Sequence, residues 1–123
     1  LIMGGFNLAD FETRSIHKVE GVDYDGKFLV KIAGPSMEDT IRDSSIVLIK
    51  PTNPSNWEYL NSGVYMVDYA DEIVCKRIKS NTLSNLGTIE LHSDNALYGS
   101  QIVKGSDLRN IGKVERVVDS VVW

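Results

Sequence analysis

A chain of 123 residues is the size of one domain and long enough to bury most of its apolar surface. Its 42% hydrophobic and 24% charged content is ordinary for a globular protein. A formal net charge of −4, with Lys and Arg scattered, argues against this chain itself gripping nucleic acid, which calls for a basic stripe.

Cys75 is the single cysteine, which excludes an internal disulfide and fits a reducing cytoplasm. The opening Leu1-Ile2-Met3-Gly4-Gly5 has neither the basic region nor the apolar core of a secretory signal. No apolar run approaches a membrane span, so no membrane partner is expected. Leu1 is not a methionine, and a longer parent chain is therefore expected.

Residues 1–12 show no sustained period and read as an arm, with Phe6, Leu8 and Phe11 available to dock on a partner. Residues 15–25 are polar and broken, ending in Asp25-Gly26 as a tight turn. Asp23-x-Asp25-Gly26 hints at a calcium loop, but the remaining ligand spacing is absent. Phe28, Val30 and Ile32 alternate with Leu29, Lys31 and Ala33, which predicts a half-buried strand. A single turn is predicted at 37–41, and 46–50 is a continuous apolar run that predicts a buried strand.

Pro51, Asn53, Pro54, Ser55 and Asn56 make a loop, which Trp57, Tyr59 and Leu60 are expected to close over the core. Strands at 63–68 and 73–78 form a hairpin across Tyr69-Ala70-Asp71-Glu72. Residues 79–87 read as a polar loop, 88–92 as a strand, and Ser93-Asp94-Asn95 as turn chemistry. Residues 99–110 read as connection, with Ile102 and Val103 a short strand, and 111–123 as a valine-rich closing strand or pair of strands. No segment of ten residues carries helical periodicity, so the chain is expected to be all-β, a barrel or sandwich of many short strands.

Two stretches carry candidate chemistry. The first delivers an apolar strand to Gly34-Pro35-Ser36, where a sharp turn lifts the serine out of the sheet. Gly-Pro-Ser also marks ordinary turns. The second is Ile73-Val74-Cys75-Lys76-Arg77-Ile78. Strand alternation places Lys76 on one face with Val74 and Ile78, where desolvation would favour the neutral amine. A neutral lysine can take the proton that a serine must lose to become a nucleophile. Ser-Lys is a known variant of the triad logic. The alternative is a lysine that snorkels its head to water.

The histidines, His17 and His92, sit in no metal-ligand spacing with Cys75, and no metal or cofactor is expected. A Cys75–His92 nucleophilic pair lacks support, and Cys75 faces away from Lys76 on its strand. Aromatic residues are dispersed, with no stacking platform for single-stranded nucleic acid.

Gly34-Pro35-Ser36-Met37, Asp43 and Ile46-Val47-Leu48-Ile49 resemble the Ser-Met block of the LexA-like self-cleaving repressors (peptidase S24), a group that includes phage repressors and UmuD. Val74-Cys75-Lys76-Arg77-Ile78 resembles their Lys-Arg block, and Leu91-His92-Ser93-Asp94-Asn95-Ala96-Leu97-Tyr98 their Ser-Asp-Asn-x-x-Tyr segment. Ile111-Gly112-Lys113-Val114 with Trp123 is similar to their closing strand. The blocks occur in the family's order over roughly residues 25 to 123.

The resemblance implies the LexA/signal-peptidase-like complex β-barrel over 15–123, preceded by an arm over 1–14. It implies Ser36 as nucleophile and Lys76 as base, with the backbone N–H groups of Ser36 and Met37 receiving the oxyanion. Relatives cut their own chain at an Ala-Gly or Cys-Gly bond upstream of the serine. Gly4-Gly5, beginning 32 residues before Ser36, is the corresponding candidate here, with a flexible linker as the other reading.

The resemblance further implies a cytoplasmic homodimer, operator DNA bound through an N-terminal helix-turn-helix domain outside this chain, and triggering by RecA filaments. The absence of a membrane span sets the chain apart from the membrane-anchored signal peptidases that share Ser-Lys chemistry. One departure stands out. Many relatives have Asp-Gly-Asp where this chain reads Asp43-Ser44-Ser45, losing the glycine that reaches φ > 0 and a second acid. Two alternatives stay open: a silent dimerisation module, which the departure favours, or, where only a short arm precedes the domain, a UmuD-like polymerase subunit.

Overall fold

A computed structural model describes residues 26–118 and the backbone of residues 2–3 and 6–7. The expected all-β architecture is what it shows. Strands β1 (Ile2–Met3) and β2 (Phe6–Asn7) form a two-stranded antiparallel pair, where the sequence suggested an arm without regular structure. Strands β3 (Phe28–Lys31), β4 (Ile46–Pro51), β5 (Gly63–Tyr69), β6 (Glu72–Thr82), β7 (Thr88–His92), β8 (Ser100–Lys104) and β9 (Leu108–Val118) form one antiparallel sheet. Its order is β3-β4-β9-β5-β6-β7-β8. The ladder is open among the described residues, because β3 and β8 end it without pairing to each other.

Strand β5 is buried on both faces, which is why it reads as the unbroken run Val64-Tyr65-Met66-Val67. Met66 joins a core cluster with Phe28, Val30, Ile32, Met37, Ile41, Val47, Ile49 and Cys75. Tyr65, Val67 and Tyr69 enter a second cluster with Ile78, Ile89, Leu91, Val103, Leu108 and Ile111. Leu29, Leu48 and Val118 make a smaller third cluster.

The β5–β6 hairpin closes on Ala70 and Asp71, at φ +44° and +69°, the two positive dihedrals of a type I′ turn. Pro54–Tyr59 is a 3₁₀ helix, capped by Asn53 Oδ1 accepting from Ser55 N at 3.0 Å. Trp57 and Leu60 pack on the second cluster as expected, whereas Tyr59 points to solvent.

Two polar stretches depart from the sequence expectation. Strand β6 runs on through Thr82 and is followed by a helical turn, α1 (Leu83–Leu86), where a loop was expected from 79. Lys79 is the extra residue between the pairs Ile78↔Leu91 and Ser80↔Glu90, and Asn81 Nδ2 donates to the carbonyls of Trp57 and Leu60. Strand β8 extends the short strand expected at Ile102 and Val103 to five residues, and β9 begins at Leu108 instead of Ile111. Trp123 lies outside the described residues.

Candidate active site

Strand β3 carries the chain to a turn that the sheet holds firmly. Ile32 N donates to Ser45 O and Ser44 N to Ile32 O, both at 2.8 Å, so the turn returns beside the strand that launched it. Gly34, at φ +94°, donates its N–H to Asp43 Oδ1 at 2.8 Å. Met37 is buried in the first core cluster, and Ile41 N donates to Met37 O at 2.8 Å, the single turn expected there. Ser36 is left half-buried at the corner. Among the described residues, nothing accepts a hydrogen bond from the backbone N–H of Ser36 or Met37.

The turn keeps its course through the Asp43-Ser44-Ser45 departure. Ser44 adopts φ +70° without a glycine, and Asp43 performs its bond to Gly34.

Lys76 sits on β6 opposite Tyr65 of β5. It and Ser36 line the same cleft, of about 320 Å³, whose walls include Val30, Ile32, Met66 and Val74. Two residues forty apart in sequence are thus brought to one concave, mostly apolar surface. Burial strips water from the Lys76 ammonium and lowers its pKa below the ordinary lysine value, with the neighbouring Cys75 acting in the opposite direction. The head does not snorkel away from the protein: Lys76 Nζ donates to Ser93 Oγ at 2.7 Å, and Ser93 is only 2% exposed.

Residues 93–95, expected as turn chemistry and as the start of a Ser-Asp-Asn-x-x-Tyr segment, bridge the two stretches. Arg77 makes two bonds of 2.8 Å to the Asp94 carboxylate, whose Oδ2 also accepts from Thr40 Oγ1 at 2.5 Å. These bonds hold the Asp94 pKa below its ordinary value, Arg77 first among the causes. Asp94 N donates to Met37 Sδ at 3.5 Å. Asn95 donates from its backbone N to Ser36 O and from Nδ2 to Pro35 O, both at 3.0 Å. The sequence signal for this bridge was the Ser-Asp-Asn segment itself and the arginine following Lys76.

Cys75 faces the first core cluster, where burial pushes its thiol up to about 12, so it offers no thiolate near neutral pH. His92 is bonded to Ser100 Oγ at 2.7 Å. Among the described residues, no group of three or more His, Cys, Asp or Glu side chains could hold a metal ion. No described helix is long and apolar enough to cross a membrane. Gly4 and Gly5, the candidate cleavage site, and His17 lie outside the described residues.

A protein-family comparison decides what this arrangement belongs to: the family described as Peptidase S24-like matches residues 9–115. The chain belongs to the S24 peptidase-like family. No curated protein matches it. The S24 match runs through the serine turn, the Lys76 strand and the 93–95 bridge, so the whole of the cleft lies within the family domain.

Proposed function

We propose that this S24 domain is the self-cleaving, dimerising C-terminal part of a LexA-like, phage-type repressor. The observation that carries the reading is that Ser36 and a partly desolvated Lys76 line one cleft. Neutral Lys76 takes the Ser36 hydroxyl proton as Oγ attacks a peptide carbonyl of the same polypeptide. The carbonyl oxygen becomes an oxyanion facing the Ser36 and Met37 N–H groups, which have no other acceptor among the described residues. The Lys76 ammonium then returns the proton to the leaving amine, and water releases the acyl group from Ser36. Both ends of the reaction belong to one chain, so positioning replaces substrate capture.

In this reading residues 1–14 are the arm that carries the scissile bond, at Gly4-Gly5, and residues 15–123 are the cytoplasmic peptidase and dimerisation domain. Dimerisation would set two upstream helix-turn-helix domains on the two half-sites of an operator, and cleavage would uncouple them. A RecA filament is the inducing partner this reading implies.

Intact mass of the longest chain available, extended upstream of Leu1 and incubated from neutral to alkaline pH beside Ser36→Ala, tests it. Alkali-stimulated loss of an upstream fragment in the parent alone is the expected result, and the fragment mass locates the bond. A folded parent that stays whole at every pH overturns the protease reading.

A further inference from the structure

The three residues at 93–95 reach in succession to the base strand, to both stretches at once, and to the serine turn. Ser93 Oγ accepts from Lys76 Nζ at 2.7 Å. Asp94 pairs with Arg77, the residue after the lysine, and with Thr40 at the far end of the serine turn. Asn95 grips the carbonyls of Pro35 and Ser36, the two peptides that flank the nucleophile. The loop is itself braced, since Asn95 Oδ1 accepts from Leu97 N at 3.0 Å, Tyr98 N donates to Asn95 O at 3.0 Å, and Ser93 N donates to Gly99 O at 3.3 Å. That brace orients the Asn95 amide: with Oδ1 committed to the loop, Nδ2 is the group presented to Pro35.

No other side-chain set among the described residues touches both stretches by hydrogen bonds. The serine turn and the lysine strand are not neighbours in the sheet, because β3 and β6 are separated by β4, β9 and β5. Their relative placement therefore rests on packing and on this loop.

We infer that Ser93, Asp94 and Asn95 form the positioning element that sets Ser36 against Lys76, with Asn95 the positioning residue on the nucleophile side and Ser93 on the base side. The inference rests on the Ser36–Lys76 reading above. Asn95 acts by fixing where the Ser36 backbone lies, and with it the direction of Oγ and of the Ser36 and Met37 N–H groups. Ser93 holds the amine by the one hydrogen bond its Nζ makes among the described residues, so that the lone pair of the neutral form is aimed instead of free to rotate. Asp94 couples the two sides.

The test measures self-cleavage rate against pH in the longest chain for the parent, Ser36→Ala, Asn95→Ala, Ser93→Ala and Ser93→Thr, each first shown to keep a cooperative thermal transition. Asn95→Ala is expected to lower the plateau rate about ten- to hundred-fold with the midpoint of the pH profile unmoved, the consequence of a misplaced nucleophile. Ser93→Ala removes the acceptor for the ammonium, so its midpoint moves to lower pH as its plateau falls, and Ser93→Thr restores both. Should Asn95→Ala fail to fold, Asn95→Asp keeps the brace to Leu97 while losing the donor to Pro35, and the same rate loss is expected of it. A parent that cleaves while Ser36→Ala does not, with Asn95 variants matching the parent rate, overturns this inference and leaves the dyad reading intact. A parent that does not cleave, or a Ser36→Ala that does, overturns the dyad reading and this inference together.

Discussion

Ser44 donates its N–H to the Ile32 carbonyl at 2.8 Å while holding φ at +70°, a dihedral that L-residues rarely adopt. The left-handed conformation costs a non-glycine residue roughly 1–2 kcal/mol. A glycine there avoids that cost but loses more chain entropy on folding, about 0.5–1 kcal/mol. Ser44→Gly should therefore stabilise the domain by about 0.5–1 kcal/mol. Denaturant midpoints at unchanged slope measure it, and a fall in midpoint would mean that the serine side chain contributes more than its backbone strain removes.

The alternation of 28–33 and the apolar runs at 46–50 and 63–68 put strands β3, β4 and β5 in view from the sequence, because burial leaves a periodic mark. The Ala70-Asp71 turn was legible from the two runs it joins. What could not be read was structure held by polar side chains. Residues 79–82 look like loop, yet Asn81 is a strand residue whose amide ties down the Trp57 and Leu60 carbonyls. The candidate site divides in the same way. Ser36 and Lys76 were visible from local strand position, whereas the grip of Asn95 on Pro35 spans 60 residues and leaves no local pattern. That Ser44 takes the left-handed turn without a glycine likewise leaves no local mark, because a serine does not signal a positive φ.

Asp94 should make the fold sensitive to acid. Its pKa is depressed, first by the hydrogen bonds from Arg77, so the folded state binds its proton less readily than the unfolded state. The sign follows: this stabilisation is present above the ordinary Asp pKa of about 3.9 and is lost as pH falls through the lower folded value. Arg77 is partly exposed, which limits the pair. Asp94→Asn is expected to cost about 1–2 kcal/mol at neutral pH and to flatten the loss of stability below pH ~4. Urea unfolding at a series of pH values checks both, and parallel pH curves for parent and variant would contradict the assignment.

Asn110 should matter more than its position away from the cleft suggests. Its Nδ2 donates to Asp68 Oδ2 at 2.8 Å, and the two residues are 6% and 2% exposed, with no cation paired to the carboxylate among the described residues. Asn110→Ala removes the donor and leaves a buried carboxylate oxygen short of a partner, a loss of about 2–3 kcal/mol. Replacing both residues by apolar ones of similar volume should recover much of that loss, since the penalty lies in the orphaned acceptor. A double-mutant cycle on unfolding free energies reads the coupling, and strictly additive losses would rule it out.

Lys76 gives the sharpest functional prediction. Desolvation lowers its pKa, so the neutral base is populated at lower pH than for a lysine in water, and self-cleavage should rise with pH until that folded value is passed. Lys76→Arg keeps the positive charge and much of the length but cannot lose its proton in the accessible range. It should therefore stay folded and fall at least about 100-fold in rate, the lower end of what a positioned general base contributes. Because burial disfavours the charged amine, the folded domain binds fewer protons at Lys76 than the unfolded chain between the two pKa values. Stability should consequently increase with pH through that same window in the parent, and the increase should be missing in Lys76→Arg. Paired pH profiles of cleavage and of unfolding free energy test both consequences on one residue. If cleavage climbs with pH in the arginine variant as it does in the parent, then hydroxide, and not Lys76, is taking the proton from Ser36.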